Sequence, residues 1–376
     1  MPTTGPANRA GISRSSAALA ALLITTTAHA TEAWVSAERA NVRLLPSSTS
    51  PIIGRLERGD QVEVADGVDA PQGWTLLRPL GAVRTRLVSP EGPSDEQPGF
   101  YVYGRVITPS ADVRAQPSPD AQIVDRKTRR QILAFKSTVD LSGPWLERPD
   151  GTFIARAEVK LLVGSAFRGV LDPPPVLAFL LRTVRVRPTG DRTGPETVLE
   201  RYSAVAVLSV GRAVRSADGD LPRDAVRLAR AIVRPAGIGP EERWVHVNTT
   251  EQVLTAYEGD RLVFATLIST GKRDWETPTG HFQVWLKLRH GEMRGHRVRY
   301  LVEEVPNSLF FGGATALHGV IWHDRFGWAV SHGCVNLSPA DAEWLFQWAP
   351  PALPDRWHGI LPGPAGLETL WVIVEK

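Results

Sequence analysis

The chain of 376 residues contains a single cysteine, and histidines stand close to it. Cys334 ends the run Ser331-His332-Gly333-Cys334, and His318-Gly319 lies a short distance upstream. A thiolate is the nucleophile in cysteine chemistry, and a nearby imidazole can accept the thiol proton. The spacing predicts a cysteine nucleophile with a histidine base. The alternatives are a zinc site built from the same side chains and a buried, unreactive thiol.

A short helix is predicted directly after Cys334. Ser338 is suited to the N-cap, Pro339 to the first turn, and Asp341 to the acidic position of a capping box. The apolar face of this helix is formed by Ala342, Leu345, Phe346 and Ala349. Because the N-terminal end of a helix carries positive partial charge, we expect it to favour the thiolate and to lower the pKa of Cys334 modestly.

Nine of the twelve tryptophans lie from Trp244 onward, so residues 241–376 are predicted to be a separate domain. Four of these tryptophans are expected mainly in its core, namely Trp322, Trp328, Trp344 and Trp348.

The C-terminal segment resembles the L,D-transpeptidase (YkuD-like) catalytic domain over about 130 residues. The signature of that family is a histidine, a spacer and a Ser/Thr-His-Gly-Cys-apolar-Asn/Arg motif. Here it reads His318, twelve residues, and then Ser331-His332-Gly333-Cys334-Val335-Asn336. Four further segments match the family. Residues 244–248 begin its first strand pair, and residues 254–260 form a hairpin with an acidic-glycine turn. Its two central elements are matched by residues 269–272 and 277–282. The resemblance implies a β-rich catalytic domain with a short helix after the nucleophile.

The resemblance also implies catalytic roles. Cys334 is the nucleophile, and His318 is the general base, oriented by the backbone carbonyl of Gly319. The amides of the turn at His332, Gly333 and Cys334 form the oxyanion hole. His332 also organises the site.

Substrate binding is expected from residues around this motif. Asn336 orders the site, and Trp322 falls between the histidine and the cysteine. Residues 287–299 are rich in charge and glycine, which predicts either a solvated hairpin or a mobile lid whose arginines hold carboxylates. The substrate-binding set is therefore Asn336, Trp322, Arg297, Arg299 and Tyr300, with Arg289 and Arg294 as further arginines of the lid.

The implied reaction is acyl transfer on peptidoglycan stem peptides, without a cofactor or a metal. The cysteine attacks the carbonyl after the third residue of a tetrapeptide stem, releases D-Ala and forms a thioester. A side-chain amine of another stem then resolves it into a 3→3 cross-link, and carbapenems would acylate the same thiol. Water as acceptor gives an L,D-carboxypeptidase, and a protein lysine gives a protein–peptidoglycan ligase. A non-catalytic wall-binding scaffold is the remaining alternative.

Three repeats precede this segment. Val42-Arg43, Val113-Arg114 and Val184-Arg185 open similar stretches, and 71 residues separate each valine from the next. Alternating strands and Gly/Pro/Asp turns predict small β-barrels that resemble bacterial SH3 domains, over residues 31–100, 101–168 and 169–240. The resemblance implies modules that bind peptidoglycan or partner proteins, and the alternative is that they are inert spacers. Residues 169–240 could also be a linker. The second copy carries Arg129 and Arg130 where Gly59 and Asp60 are expected, and residues 221–233 of the third copy could instead be a helix.

Residues 1–30 have the pattern of a secretory signal peptide. Arg9 and Arg14 precede an apolar run at residues 17–24 and the small-residue site Ala28-His29-Ala30. The alternative is an uncleaved membrane anchor, although the run is short for a span. Cleavage lowers the formal net charge from +3 to +1, so there is no global reason to bind nucleic acid. We therefore expect an exported, periplasmic or cell-wall-associated protein, with no membrane span after cleavage.

Overall fold

The computed structural model describes residues 30–65, 69–92, 101–137, 140–190, 193–295 and 300–376. Residues 1–29 of the predicted signal peptide lie outside the described residues. The chain is mainly β, as predicted. Within the described ranges, no helix combines the length and apolarity of a membrane span.

Three strand units, called units 1, 2 and 3, follow one another along the chain. Unit 1 contains β1 (Ala30–Val35), β2 (Arg39–Arg43), β3 (Ile52–Glu57), β4 (Gln61–Ala65), β5 (Trp74–Arg78), β6 (Ala82–Arg84) and β7 (Val88–Ser89). Unit 2 contains β8 (Tyr101–Val106), β9 (Ser110–Arg114), β10 (Ile123–Thr128), β11 (Ile132–Lys136), β12 (Trp145–Glu147), β13 (Phe153–Ala155) and β14 (Val159–Leu161). After β15 (Val170–Leu171), unit 3 contains β16 (Val176–Leu180), β17 (Val184–Val186), β18 (Thr197–Leu199), β19 (Ala204–Ala206), β20 (Ser209–Val210), β21 (Ala213–Ser216), β22 (Gly219–Pro222) and β23 (Val226–Arg230).

The three units share one strand arrangement. In each, the first strand pairs antiparallel with the fourth and with the last, and the second pairs with the third. A 3-10 helix precedes every last strand, at Thr85–Leu87, Arg156–Glu158 and Arg223–Ala225. The helical alternative for residues 221–233 is therefore wrong. No closed barrel is found in the described residues, so the predicted barrels are not confirmed and the likeness to SH3 domains stays a prediction.

The turn before the fourth strand corrects the predicted alignment of units 1 and 2. The N–H of Gly59 donates to the carbonyl of Val35, and the N–H of Arg130 donates to that of Val106 (2.9 Å each). The following side chain accepts a backbone N–H in both units, Asp60 in the first and Gln131 in the second. Because these hydrogen bonds fix the register, Arg130 and Gln131 replace Gly59 and Asp60, one position later than the sequence pattern indicated.

The C-terminal segment supplies the remaining strands and two helices. They are β24 (Arg243–Asn248), β25 (Val253–Glu258), β26 (Arg261–Leu267), β27 (Gly280–Gln283), β28 (Leu286–Leu288), β29 (Met293–Arg294), β30 (Leu301–Val302), β31 (Ser308–Gly312), β32 (Thr315–Gly319), β33 (Val335–Leu337), α1 (Pro339–Trp348), β34 (Gly359–Ile360), α2 (Pro362–Ala365) and β35 (Trp371–Glu375). One sheet has the order β15-β26-β25-β24-β35-β27, and an apolar core fills the space between it, β31 to β33 and α1. The predicted strands at residues 244–248 and 254–260 are confirmed.

Helix α1 begins as the sequence predicts. The Ser338 side chain caps it by accepting the N–H of Asp341 (3.2 Å), with Pro339 in the first turn. The carboxylate of Asp341 has another function, because it accepts the N–H of Gly169 (2.8 Å) and the hydroxyl of Thr266 (2.5 Å). The residue therefore ties the helix to β26 and to the segment before unit 3.

All three units pack against the C-terminal segment. Strand β3 of unit 1 pairs with β34, which makes one twelve-stranded sheet, and Trp357 lies in the core of unit 1. Ile132 of unit 2 pairs with Val302 of β30. In unit 3, the side chain of Arg201 donates to the carbonyl of Asp324 (2.6 Å). The boundary predicted at residue 241 stays a prediction, since strand pairing and cores extend across it.

Candidate active site

Strands β32 and β33 bring the predicted nucleophile and base close to each other. The strands pair in parallel, with His318 opposite Asn336. Cys334 belongs to the turn just before β33, two residues before Asn336. His318 and Cys334 both line the same cleft.

His318 is held as a neutral imidazole of defined tautomer. Its Nδ1 lies 3.0 Å from the backbone oxygen of Gly319. Because a carbonyl oxygen can only accept, Nδ1 carries the proton and Nε2 keeps its lone pair. Burial lowers the pKa of His318 to about 4, and the Gly319 contact opposes this shift only in part. At neutral pH the ring can accept a proton at Nε2.

Cys334 is a neutral thiol in this arrangement. Burial of the sulfur among packed atoms raises the pKa of Cys334, and the backbone N–H of Ala316 opposes the rise. The direction is opposite to the modest lowering expected from the helix end, because desolvation is the larger effect. Sγ lies 4.0 Å from the carbonyl oxygen of Ala314, and within the described residues no hydrogen bond joins it to His318. The resting pair is therefore thiol and imidazole, not an ion pair.

The turn before Cys334 is fixed by two hydroxyl groups. The hydroxyl of Ser331 donates to the carbonyl of Cys334 (2.5 Å) and accepts the N–H of Gly333 (3.1 Å). Thr277 donates to the carbonyl of Gly333 (2.8 Å). The N–H groups of His332 and Cys334 make no hydrogen bond within the described residues, which leaves them free for a substrate oxygen. Of the three predicted oxyanion donors, Gly333 is thus already engaged.

His332 lies at the mouth of the site. Its Nε2 is 3.1 Å from the ammonium group of Lys272, and its ring stacks against Tyr300 (centroids 5.3 Å apart). Burial, with a smaller effect of the Lys272 charge, lowers the pKa of His332, so the ring is neutral at neutral pH. Both Lys272 and Thr277 belong to the two central elements matched in the sequence, although neither received a role there.

Asn336 and Trp322 lie around His318. The side-chain amide of Asn336 is 2.9 Å from Nε2 of His323, and Nδ1 of His323 accepts the N–H of Arg325 (3.2 Å). Trp322 stacks against His318 with a centroid distance of 5.9 Å. These contacts limit the positions open to the ring of His318. The tryptophans expected in the core divide, since Trp344 and Trp348 pack on it and Trp328 is 46% exposed.

A cleft of about 430 Å³ opens above this group. Six of the predicted site residues line it, namely Tyr300, His318, Trp322, His332, Cys334 and Asn336. Unit 2 contributes Arg105, Arg130 and Ile132 to the wall of this cleft. No residue among the described lining of this cleft is acidic. The sequence pattern predicted no role in the site for the arginines of unit 2. The one indication in the sequence was that an arginine of unit 2 stands where unit 1 has the turn glycine Gly59.

The predicted lid is only partly described. Arg297 and Arg299 lie outside the described residues. Arg289 donates to the carbonyl of Trp357 (2.8 Å), and Arg294 pairs with Glu292. The ammonium group of Lys287 is buried and donates to three carbonyls near the end of α1, those of Phe346, Ala349 and Pro351. The side chains of Lys287 and Arg289 therefore stabilise the fold by binding backbone carbonyls. They neither bind carboxylates in a lid nor belong to a solvated hairpin.

The zinc alternative needs at least three suitable ligands. Across the ranges that the structure describes, no three His, Cys, Asp or Glu side chains are grouped in a way that could hold a metal ion. His323, which stands near His318 in sequence, is bonded to Asn336 and to Arg325 instead.

Comparisons with known proteins agree with the location of this site. The family model of the L,D-transpeptidase catalytic domain, YkuD, matches residues 242–360. The putative L,D-transpeptidase YciB of Bacillus subtilis (strain 168) is 25% identical over 130 residues, which cover 28% of this chain and 61% of that protein. The chain thus spans less than two thirds of the length of this curated relative.

Two similar solved structures are also of this kind. The L,D-transpeptidase (Yku) from Stackebrandtia nassauensis is 24% identical, with a TM-score of 0.27, over 38% of this chain and 58% of that one. The catalytic domain of the E. faecium L,D-transpeptidase is 22% identical, with a TM-score of 0.28, over 36% and 98%. The family model alone shows that the segment with His318 and Cys334 is similar to the L,D-transpeptidase catalytic domain, because both residues lie within the matched residues 242–360.

Proposed function

We propose that this protein is a peptidoglycan L,D-transpeptidase in which Cys334 forms a thioester with a tetrapeptide stem. One observation carries the proposal. A buried, neutral imidazole, fixed through Nδ1 on Gly319, lines the same cleft as the only cysteine of the chain. This pair lies in the segment that matches the catalytic-domain family.

Acylation begins when bound substrate brings Sγ of Cys334 within reach of Nε2 of His318, since active-site hydrogen bonds often tighten only in the complex. The imidazole takes the thiol proton as Sγ attacks the carbonyl after the third stem residue. The N–H groups of Cys334 and His332 stabilise the negative charge on the carbonyl oxygen. The C–N bond to D-Ala then breaks, and His318 returns the proton to the leaving amine. The neutral resting state favours this order of steps, because no ion pair between Cys334 and His318 has to be broken first.

Deacylation follows the same path in reverse. The side-chain amine of a second stem attacks the thioester, His318 accepts its proton, and the C–S bond breaks as Sγ is protonated again. The product is a 3→3 cross-link. The choice of a stem amine over water or a protein lysine comes from the resemblance alone.

The N-terminal units and the leader complete the proposal. Units 1 to 3 are SH3-like modules that bind the cell wall and buttress the catalytic segment. The leader directs the protein to the periplasm or the cell wall, where stem peptides occur. Binding of isolated sacculi by the full-length Cys334→Ala variant tests the wall-binding part, and no binding would favour the spacer alternative.

Incubation of the purified protein with a tetrapeptide stem tests the chemistry. Wild type should release D-Ala and gain the mass of the acyl group, and digestion of treated sacculi should yield 3→3 linked muropeptides. Cys334→Ala and Cys334→Ser should form no acyl-enzyme, because alanine has no nucleophile and a hydroxyl has a far higher pKa than a thiol. Transfer by Cys334→Ala would refute the nucleophile, and D-Ala release without cross-links would favour the carboxypeptidase. Loss of activity with a zinc chelator, together with activity of Cys334→Ser, would favour the metal alternative.

A further inference from the structure

The cleft beside Cys334 has a positively charged wall, to which unit 2 contributes two arginines and the catalytic segment one. Arg105 and Arg130 come from unit 2, and Arg325 comes from the loop after Trp322. Within the described residues, none of these three guanidinium groups has an ion pair, and the described lining holds no carboxylate. A cleft with unpaired arginines and no acid favours an anionic ligand.

The two arginines of unit 2 differ in their contacts. Arg105 is half-buried and donates to the backbone carbonyl of Trp322 (2.9 Å), which fixes the Arg105 side chain at the cleft. Arg130 is exposed, and its side chain makes no hydrogen bond within the described residues. Arg105 therefore has a fixed position at the cleft, whereas the guanidinium of Arg130 is available to a ligand.

The backbone of Arg130 shows how a charged side chain is accommodated at this turn. Its φ is +77°, in the left-handed region, where the equivalent residue of unit 1 is Gly59 with a φ of +87° and that of unit 3 is Tyr202 with a φ of +71°. A non-glycine residue in this region costs on the order of 1 kcal/mol, and the turn accepts one in two of the three units. The indication of a role in binding therefore comes from the exposed guanidinium of Arg130 at the edge of the cleft.

We propose that Arg130, supported by Arg105, forms a carboxylate-binding subsite for the peptide substrate. The subsite holds a free carboxylate of the stem away from the reacting carbonyl, by charge-assisted hydrogen bonds from a planar guanidinium. This inference rests on the proposed function, and it makes unit 2 a part of the substrate site and not only a spacer.

Equilibrium binding to Cys334→Ala separates the subsite from catalysis. The full-length protein would be titrated with a tetrapeptide stem in its free-acid form, and with the same stem in which the internal carboxylates are amidated. Adding Arg130→Gly should raise the Kd of the free-acid stem about fivefold at low salt, the range of an exposed ion pair with good geometry. The Kd of the amidated stem should not change. Because glycine suits the left-handed backbone, this variant removes the charge without risk to the turn.

Two variants serve as controls. Arg129→Gln removes an equal charge from the adjacent exposed residue, which does not line the cleft, and should leave both Kd values unchanged. Arg130→Lys should retain part of the affinity. Raising the salt concentration should reduce the difference in Kd between the Arg130→Gly variant and its parent, since exposed charges are screened beyond about 10 Å at 0.1 M.

An unchanged Kd for Arg130→Gly, an equal loss with the amidated stem, or no binding of the free-acid stem would overturn the subsite. Release of D-Ala by wild type from the same peptides reports the proposed function separately. Binding that depends on Arg130 without D-Ala release would leave the subsite standing and refute the transpeptidase chemistry.

Discussion

The neutral state of His318 and Cys334 predicts how the rate of acylation depends on pH. Burial holds the pKa of His318 at about 4, so Nε2 is unprotonated throughout the range from pH 6 to pH 8. The base is then fully active, and acylation by wild type should be nearly flat across this range. A resting ion pair would instead have required the thiol to titrate near neutrality.

Replacement of His318 by Ala leaves acylation dependent on the fraction of thiolate. A thiol with an ordinary pKa of about 8.5 is ionised to roughly 3% at pH 7, and burial raises the pKa of Cys334 further. The rate of the variant should therefore rise about tenfold per pH unit up to at least pH 8.5. Loss of a general base typically lowers the rate about 10²- to 10⁴-fold. The ratio of the wild-type acylation rate to that of His318→Ala should therefore be largest at pH 6 and smaller at high pH.

Single-turnover mass spectrometry with a carbapenem, between pH 5 and pH 9, measures both profiles. His246→Ala is the matched control, because His246 is also buried in this segment and does not line the cleft. It should keep the flat profile. Parallel pH profiles for wild type and His318→Ala would refute the assignment of His318 as the base, and a wild-type rate that rises tenfold per unit from pH 6 to pH 8 would refute the resting state.

Other predictions concern the supports of the site. Thr277→Val should lower acylation about tenfold with the fold retained, since the carbonyl of Gly333 loses its donor; circular dichroism and single-turnover rates test this, and an unchanged rate contradicts it. Trp357→Ala should lower the free energy of unfolding by about 3 kcal/mol or more, as a large buried side chain is lost, whereas the exposed Trp285→Ala should change it little in urea titrations. Burial, with the nearby charge of Glu57, raises the pKa of Glu304 to about 7, so the folded state binds this proton more tightly and stability falls as pH rises from about 4.5 to 7. Glu304→Gln should therefore unfold at a higher temperature than wild type at pH 8 and differ little at pH 5; the opposite order would contradict the prediction.

The catalytic segment could be predicted well because its signals are local. The N-cap at Ser338, the hairpin at residues 254–260 and the spacing of His318 from Cys334 depend on neighbouring residues in the chain. The repeat was equally visible, since similar strands recur every 71 residues. The exact register of the second repeat could not be predicted, because nothing in the neighbouring residues indicates that Arg130 occupies a backbone position suited to glycine.

The sequence by itself determined the reactive groups, which are one thiol and one histidine at the family spacing. It also determined the helix after the nucleophile and the three similar strand units before the catalytic segment. Only the tertiary structure decided the electrostatics and the walls of the site. The pKa of Cys334 is raised and that of His318 lowered because packing from distant segments removes water around them. Likewise, Arg105 and Arg130 reach the cleft because β11 of unit 2 pairs with β30. Desolvation and long-range strand pairing are properties of the packed chain, and no local pattern of residues records them.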